Sequence, residues 1–519
     1  MERQTITQSI TTTDDFATME RQAHYKDYSV RAVVIIFLVP AYAGLLFGYD
    51  IGGTSFALQS LLDVRLGSVL WSETVRESAA WQGIVVSAAS FGGLLSSTLV
   101  LLTGLGDLVG RKRELQIGGL LYLLGGCLEY SSLYMDHGLS WLILGRIIYG
   151  LGVGLSMHAA PTYLGEMSPA SIRGLLISLK EAAIVTGILL GYIVGYAFSE
   201  TSAGWAHVYA TSMLGSTLML GLSLHIPRSC RWLLLKGRDK EAMEAIRFVH
   251  PDNAEDLFRT IKADSVSLDA GVGMGVEEDV LTSKPSWASI LDAKNRAPLV
   301  AGVGLVVLQQ VTGQPSVLSY ASTIFKSVGL SGVSSIIVAL WKLVATLCSA
   351  TAVETYGRKV LLYTGCSLML VTLVMLSFLL DNPNSRFGRL AVIVAMMGFV
   401  GGYQLGFGPI SWLMTSEIFP LMMRTRAVAF AVQMNFLLNT VVQFAVPLLE
   451  KQFGLRGTFA LFAVMSGYRW VCTWHSQSIL FHPKCRRMKP HIDPFLFLSA
   501  VSTLCVHTYG NKGTFAGTD

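Results

Sequence analysis

The chain has 519 residues, of which 52% are hydrophobic and only 14% charged, against about a quarter charged in an average soluble domain. This composition excludes an ordinary soluble protein. The basic residues behind the net charge of +5 lie in short clusters between apolar segments, which argues against a nucleic-acid partner. The first 30 residues lack a signal-peptide core and are too acidic for an ordinary transit peptide.

Twelve apolar segments are long enough to cross a bilayer as helices, which takes about 20 residues each. We number them spans 1 to 12. The first six lie near 31–56, 81–103, 115–135, 139–163, 175–198 and 205–226. The second six, the last of them interrupted by polar residues, lie near 297–323, 332–353, 359–380, 388–416, 424–450 and 457–482. The sequence therefore predicts an all-α membrane protein.

The predicted organisation is two six-helix bundles joined by a polar linker. It comprises a cytoplasmic tail at 1–30, an N-terminal bundle at 31–226, a cytoplasmic linker at 227–296, a C-terminal bundle at 297–482 and a divergent tail at 483–519. Basic residues cluster in alternate loops, and the positive-inside rule places those loops and both termini in the cytoplasm.

Glycines on spans 1 and 5 recur every four residues and so line one face of each helix. They are Gly44, Gly48 and Gly52 on span 1, and Gly187, Gly191 and Gly195 on span 5. This spacing predicts that neighbouring helix backbones approach closely there.

Charged motifs recur in the two halves. Gly110-Arg111-Lys112 after span 2 matches Gly357-Arg358-Lys359 after span 8, and an acid, Asp107 or Glu354, lies three residues before each glycine. Such duplication is typical of a transporter with parallel halves and a site at their interface.

A second pair of charges recurs after spans 4 and 10. Glu166 precedes Arg173 by seven residues, and Glu417 precedes Arg424 at the same offset. We interpret both as cytoplasmic gating pairs that form in one conformation and release in the other.

Four further motifs occur in order along the chain. They are Phe47-Gly48-Tyr49-Asp50 in span 1, Gly145-Arg146 in span 4, Gln309-Gln310-Val311-Thr312-Gly313 in span 7 and Gly408-Pro409-Ile410-Ser411-Trp412 in span 10. Together they resemble the sugar porter family of the major facilitator superfamily, over about residues 30 to 468. Ser178 to Glu181 and Gln309 to Ser316 are most similar to plant vacuolar glucose transporters and D-xylose-proton symporter-like proteins.

The resemblance implies a major facilitator fold that transports a monosaccharide of the glucose or xylose type by alternating access, coupled to protons as symport or antiport. It implies a pyranose site with ligands from the C-terminal half and span 5, here Gln309, Gln310, Trp412 and Asn435, with Tyr320 and Phe436 as gate or stacking aromatics. Amides suit this task because they both donate to and accept from hydroxyls. Arg231, after span 6, is carried over as a member of the cytoplasmic charge network.

Two charged residues stand at family ligand positions where uncharged amides are usual, Glu181 in span 5 and Lys342 in span 8. An unpaired charge inside a membrane costs at least about 2.5–3.5 kcal/mol. We therefore expect Glu181 and Lys342 to form a buried pair beside the sugar.

Asp50 and Arg146 also lie inside apolar spans, and both fall in the outer half of the membrane. We expect them to pair. In the family's proton symporters these positions hold the proton-accepting acid and its arginine, whereas facilitators commonly have asparagine in place of the acid. Burial disfavours a charged carboxylate and a nearby guanidinium favours it, so motion of Arg146 can switch proton binding at Asp50.

His158 also lies inside an apolar span. We expect it to be a core histidine whose ring has a hydrogen-bond partner.

Other functions stay open on the sequence: a proton-independent facilitator, or a sugar sensor that does not transport. An enzyme is disfavoured because no nucleophile and base, and no metal-ligand set, is apparent, and no cofactor is expected. The expected partners are a monosaccharide, protons and the bilayer, with the chain a monomer. The resemblance favours the vacuolar membrane, ahead of the plastid envelope or plasma membrane. It breaks off at Tyr468, so the last span and the tail are expected to diverge from the family.

Overall fold

The computed structural model describes residues 28–269, 296–380, 385–408, 410–411 and 424–480. Within these ranges, side chains are described except at 264–269, 296–301, 354, 359, 386, 424–427 and 469–480. All regular structure in the described ranges is helical, as the composition predicts.

The N-terminal bundle contains the six predicted spans. Span 1 is Val30–Leu62, span 2 Ala79–Thr103, span 3 Arg111–Ser131, span 4 Gly138–Met167, span 5 Arg173–Ala197 and span 6 Gly204–Ser223. Span 2 ends at Gly104, whose φ of +63° forms a left-handed cap that glycine adopts without strain. The short helices Ser72–Glu77 and Leu105–Val109 lie between the spans.

The linker begins with three helices, Cys230–Leu235, Asp239–Val249 and Ala254–Asp269. They pack on the N-terminal bundle. In one of these contacts the amide of Ser29, just before span 1, donates to the carbonyl of Val249 at 2.9 Å. Residues 270–295, the rest of the predicted linker, lie outside the described ranges.

The C-terminal bundle opens with a broken span. Span 7 consists of Arg296–Val311, Gln314–Ser319 and Ala321–Ser327, and Gly313 (φ +75°) forms the first break. Spans 8, 9 and 10 are Val333–Tyr356, Arg358–Leu379 and Arg386–Gly406. Spans 11 and 12 lie in the stretch Arg424–Leu480, which Gly454 interrupts with non-helical dihedral angles.

Several features of the surface fit a bilayer environment. Eight helices among the described residues are long and apolar enough to cross a membrane. Large apolar side chains on these helices, such as Leu99, Leu190 and Val344, are exposed. Exposed apolar area on this scale is unusual for a soluble protein and normal for a lipid-facing one.

The close approach of spans 1 and 5 is confirmed. A Cβ added to Gly48 would lie 1.8 Å from the carbonyl oxygen of Ile184, and one added to Gly187 would lie 2.0 Å from that of Leu45. Only glycine permits such contact between backbones. Span 1, which carries Asp50, is thereby held tightly inside the N-terminal bundle.

Candidate functional site

Asp50 and Arg146 form a buried ion pair between spans 1 and 4, as predicted. The guanidinium donates from Nη1 to Oδ1 of Asp50 at 3.0 Å and from Nη2 to Oδ2 at 3.3 Å. Asp50 is 9% exposed and Arg146 1%. Thr54 also donates to Asp50, at 3.2 Å, and Arg146 donates to the hydroxyl of Tyr209 at 3.2 Å. This bidentate geometry is the strongest form of a carboxylate–guanidinium contact.

The pair lines a narrow cavity between the two bundles. Asp50 and Arg146 line one side, and Ser319 of span 7 and Gln443 of span 11 line the other. Gln443 accepts from Ser90 of span 2 at 2.8 Å, so it connects the bundles directly. The Asp50 carboxylate therefore faces the junction of the two bundles.

A third charged residue lies against this pair. Glu129 of span 3 is 1% exposed, and its Oε1 is 3.7 Å from Nη1 of Arg146. No motif in the sequence marks Glu129, because a single acid near the end of a span usually lies at the membrane surface.

Gln309, a predicted sugar ligand, is buried in the C-terminal bundle. Its amide nitrogen donates to the hydroxyl of Tyr403 in span 10 at 2.7 Å, and the ammonium of Lys342 lies 5.3 Å from the centre of the Tyr403 ring. Tyr403 thus joins two predicted ligands that are distant in sequence. No motif singled out Tyr403, since an aromatic residue in an apolar span carries no separate signal.

Buried amide atoms without hydrogen-bond partners accumulate in the C-terminal bundle. Among the described residues they are Oε1 of Gln309, Nε2 of Gln314, both amide atoms of Gln404 and Oδ1 of Asn439. A buried polar atom normally finds a partner. Such atoms suit hydroxyl groups of a bound sugar, which both donate and accept.

The other predicted ligands have these positions. Gln310 is buried and Asn435 half-buried. The hydroxyl of Tyr320 donates to the carbonyl of Gln443 at 2.8 Å, and the ring of Phe436 contacts that of Phe47 edge-on at 6.3 Å. Trp412 lies outside the described residues.

The expected direct pair of Glu181 and Lys342 is not formed in this conformation. No nitrogen–oxygen distance of 4.0 Å or less joins them among the ion pairs of the described residues. They still interact electrostatically, and Glu181 has a second cationic neighbour in Lys180. Lys180 also acts electrostatically on the Glu181 carboxylate, and the predicted pair of Glu181 with Lys342 did not include this neighbour.

The cytoplasmic network of the N-terminal half pairs differently from the prediction. Arg111 contacts both Asp107, at 2.9 Å, and Glu166, at 3.4 Å, and Ser229 donates to Glu166. Arg173 instead donates to the carbonyl of Ser168 at 3.3 Å. The predicted residues Asp107, Arg111 and Glu166 therefore meet, with Arg111 in the place expected for Arg173.

The other predicted members of the network have these positions. Arg231 is exposed and forms no ion pair with the described residues. Arg358 is half-buried. Glu417 lies outside the described residues, and for Glu354 and Arg424 only the backbone, which is helical, is described.

His158 lies at the cytoplasmic side of the same bundle. Its Nδ1 is 2.7 Å from Oε1 of Glu114, a fully buried acid of span 3. Gly106 lies against Arg111, Glu114 and His158. The imidazole therefore has a partner, as expected for a core histidine.

The bundles contact each other on the outer side of spans 1, 5 and 7. The amide of Ser322 donates to the hydroxyl of Ser55 at 3.0 Å, and the hydroxyl of Tyr192 donates to the carbonyl of Leu318 at 2.6 Å. At the outer rim Lys326 pairs with Asp63 at 3.0 Å. The Lys326 ammonium beside Asp63 lowers the pKa of that carboxyl. These contacts close the outer side.

The comparisons with known proteins agree with this architecture. The profile of the family described as "Sugar (and other) transporter" matches residues 36–473. D-xylose-proton symporter-like 3, chloroplastic, of Arabidopsis thaliana is 38% identical over 456 residues, which cover 84% of this chain and 78% of the relative. The D-xylose transporter of Levilactobacillus brevis is 28% identical over 463 residues, covering 88% and 94%.

Solved structures match as well. The xylose transporter XylE from E. coli, in a partially occluded inward open conformation, superposes with a TM-score of 0.71 at 25% identity, covering 86% of this chain and 98% of that one. The profile match spans most of the chain, and the helices, their order and the duplicated halves agree with it. The chain belongs to the sugar transporter family of the major facilitator superfamily.

Proposed function

We propose that this protein carries a monosaccharide of the glucose or xylose type across a membrane, by alternating access and together with a proton. The observation that carries the proposal is the buried Asp50–Arg146 pair at a cavity between the bundles. A titratable acid placed there can link proton binding to movement of the halves, since its environment changes when they move. The names of relatives that are proton symporters of xylose or arabinose support it.

The amide atoms of the C-terminal bundle supply the sugar part of the proposal. Gln309, Gln314 and Gln404 present buried atoms without protein partners, and Gln309 is also held in place by Tyr403. A few fixed polar groups in an apolar surrounding give a sugar its orientation. We assign Gln310, Asn435 and Trp412 to the same site by family motif.

Transport into proteoliposomes tests the function. Labelled xylose and glucose are offered under an imposed pH gradient, with and without a protonophore. We expect accumulation above the external concentration, which the protonophore abolishes. Uptake that only reaches equilibrium identifies a facilitator instead, and binding without flux identifies a sensor.

The membrane in which the protein resides is a separate proposal. We assign it to the vacuolar membrane, on the resemblance of the motifs in spans 5 and 7 to vacuolar glucose transporters. One relative carries the name chloroplastic, so a fluorescent fusion is best compared with markers of both the vacuolar membrane and the plastid envelope. Fluorescence at the envelope alone would contradict this assignment.

A further inference from the structure

The N-terminal bundle contains a buried acid whose position needs an explanation. Glu129, in the last turn of span 3, is 1% exposed. Neither of its carboxylate oxygens has a hydrogen-bond partner among the described residues. Its contact is the 3.7 Å approach of Oε1 to Arg146. Leaving a buried acceptor without hydrogen bonds is unfavourable, and more so for a charged group.

The backbone of spans 3 and 4 is built to place Glu129 there. A Cβ added to Gly145 would lie 2.7 Å from the backbone nitrogen of Glu129 and 2.9 Å from its Cγ, and one added to Gly125 would lie 2.5 Å from the nitrogen of Tyr149. Glycines on both helices therefore let the two spans touch. The Gly145-Arg146 motif brings the acid next to the arginine.

The charges of this cluster explain why a second acid is useful. In this structure both terminal nitrogens of Arg146 bind Asp50. If Asp50 were the sole acid, its protonation would leave Arg146 as an uncompensated buried charge, which is strongly unfavourable. Asp50 lines the cavity, whereas Glu129 is not among the residues that line it. Water in the cavity therefore meets Asp50 and not Glu129.

We propose that Glu129 is the carboxylate with which Arg146 pairs when Asp50 takes up the coupling proton. This inference rests on the proposed proton-coupled function. The proton comes from water in the cavity and binds a carboxylate oxygen of Asp50. Glu129 must stay ionised and exchange no proton, which the 3.7 Å approach of Arg146 favours and the burial of Glu129 opposes. Two acids and one arginine then pass from a formal charge of −1 to 0.

The groups that face Glu129 come from three helices. They are Asp50 and Tyr49 of span 1, Arg146 and Tyr149 of span 4, and Tyr209 of span 6. Arg146 is the cation among these five. Glu129 thus makes proton uptake by Asp50 easier in two ways: its negative charge favours the neutral form of Asp50, and it keeps Arg146 compensated afterwards.

The pH profile of uphill uptake tests the role of Glu129. In Glu129→Gln, we expect the external pH at half-maximal accumulation to fall by about one unit, because Asp50 has lost a like-charged neighbour. Glu129→Asp, which keeps a carboxylate on a shorter side chain, should give a smaller shift. Sugar exchange at equal pH verifies that each variant is folded. An unchanged profile in Glu129→Gln overturns the proposal.

A thermal double-mutant cycle gives a second test that needs no transport. Asp50→Asn and Glu129→Gln each leave Arg146 one acid, whereas the double variant leaves none. We expect the double variant to lose about 5 °C more in melting temperature than the sum of the single variants. The control cycle combines Asp50→Asn with Asp63→Asn, because Asp63 lies far from Arg146. Its losses of melting temperature should be additive. Additivity in both cycles contradicts the proposal.

The two tests separate this inference from the function on which it rests. If the unsubstituted protein shows no proton-driven accumulation, the proposed coupling is wrong, and the thermal cycle still decides whether Arg146 has two alternative partners. If the unsubstituted protein accumulates sugar and neither test responds to Glu129→Gln, the coupling stands and Glu129 has no part in it.

Discussion

The two bundles hold their polar groups in different ways. In the N-terminal bundle they include charges that lie close together, with Arg146 held by Asp50 and approached by Glu129. In the C-terminal bundle they are mostly neutral amides, such as Gln309 and Gln404, with atoms that have no partner among the described residues. Adding one proton changes the net charge of the first group. The amides of the second group can both donate to and accept from hydroxyl groups.

This difference indicates a division of tasks between homologous halves. The duplication supplies two similar scaffolds, and on the proposed function the side chains of one serve the proton and those of the other the sugar. The cavity joins the two tasks, because Asp50 faces Ser319 and Gln443 across it. Substitutions at four places test this division, from Asp50 to the outer rim.

Asp50→Asn should have the largest effect, because it removes the titratable group and keeps its shape. We expect uphill accumulation to disappear, with the sugar only reaching equilibrium, while exchange of sugar persists in part. The protein should still fold, since Glu129 remains near Arg146. Uptake is measured at an imposed pH gradient in proteoliposomes.

The matched control for Asp50→Asn is Asp63→Asn, the same change just beyond the end of the same helix. The control should retain uphill accumulation because Asp63 lies at the rim, away from Arg146. If Asp50→Asn still concentrates sugar against its gradient, proton coupling does not depend on Asp50, and Glu181 becomes the leading candidate.

Gln309→Ala should weaken sugar binding and leave coupling intact. Loss of a buried hydrogen bond to a ligand costs about 1–3 kcal/mol, which predicts a rise in KM of about 5- to 100-fold with an unchanged pH profile. Gln116→Ala is a suitable control, because Gln116 is a half-buried amide of the other bundle that donates to the carbonyl of Ser223. A shifted pH profile in Gln309→Ala would contradict the division of tasks.

Lys342 is the exception in the C-terminal bundle, since it is charged and only 5% exposed. We expect Glu181→Gln to impair transport more than the double variant Glu181→Gln with Lys342→Asn, by about 2- to 5-fold, because the single change leaves a buried cation without its acid. Lys342→Asn alone should cost less, as Glu181 keeps Lys180. Strictly additive losses would show that the two charges act independently.

Much of this arrangement was predictable from sequence. The eight membrane-length helices of the described residues follow from apolar length, and the pairing of Asp50 with Arg146 follows from the cost of an unpaired charge in a membrane. The glycine faces of spans 1 and 5 follow from their four-residue spacing. Apolar length and glycine spacing are local properties of the sequence, and the charge pair needs only one partner of opposite charge.

The rest depends on which helices meet. Glu129 reaches Arg146 only because Gly145 and Gly125 bring spans 3 and 4 into contact, and neither spacing nor composition reveals that a lone acid will be buried. Similarly, the sequence names Glu166 as a network member, but its partner Arg111 lies on another helix, 55 residues away. Charges near one another in sequence, such as Glu166 and Arg173, do not pair when a third element supplies a better placed group.

The smallest expected effect concerns the outer rim, where Asp63 and Lys326 join the bundles at 3.0 Å. An exposed ion pair contributes about 0.2–1 kcal/mol, so Asp63→Asn should shift the balance toward the outward-open state by at most about 5-fold.

The pKa of Asp63 is lowered by its hydrogen bond to Lys326. The stabilisation is therefore fully present above the ordinary aspartate pKa of about 4, and it is lost only as pH falls through the lower value. The measurement is the labelling of a cysteine introduced at Ser55 by a membrane-impermeant thiol reagent. The labelling rate should differ between the protein with the intact rim pair and the Asp63→Asn variant. Between about pH 5.5 and 7.5, the ratio of the two rates should stay constant. A factor that varies with pH in this window would mean that the rim pair, and not only the cluster around Arg146, takes part in proton sensing.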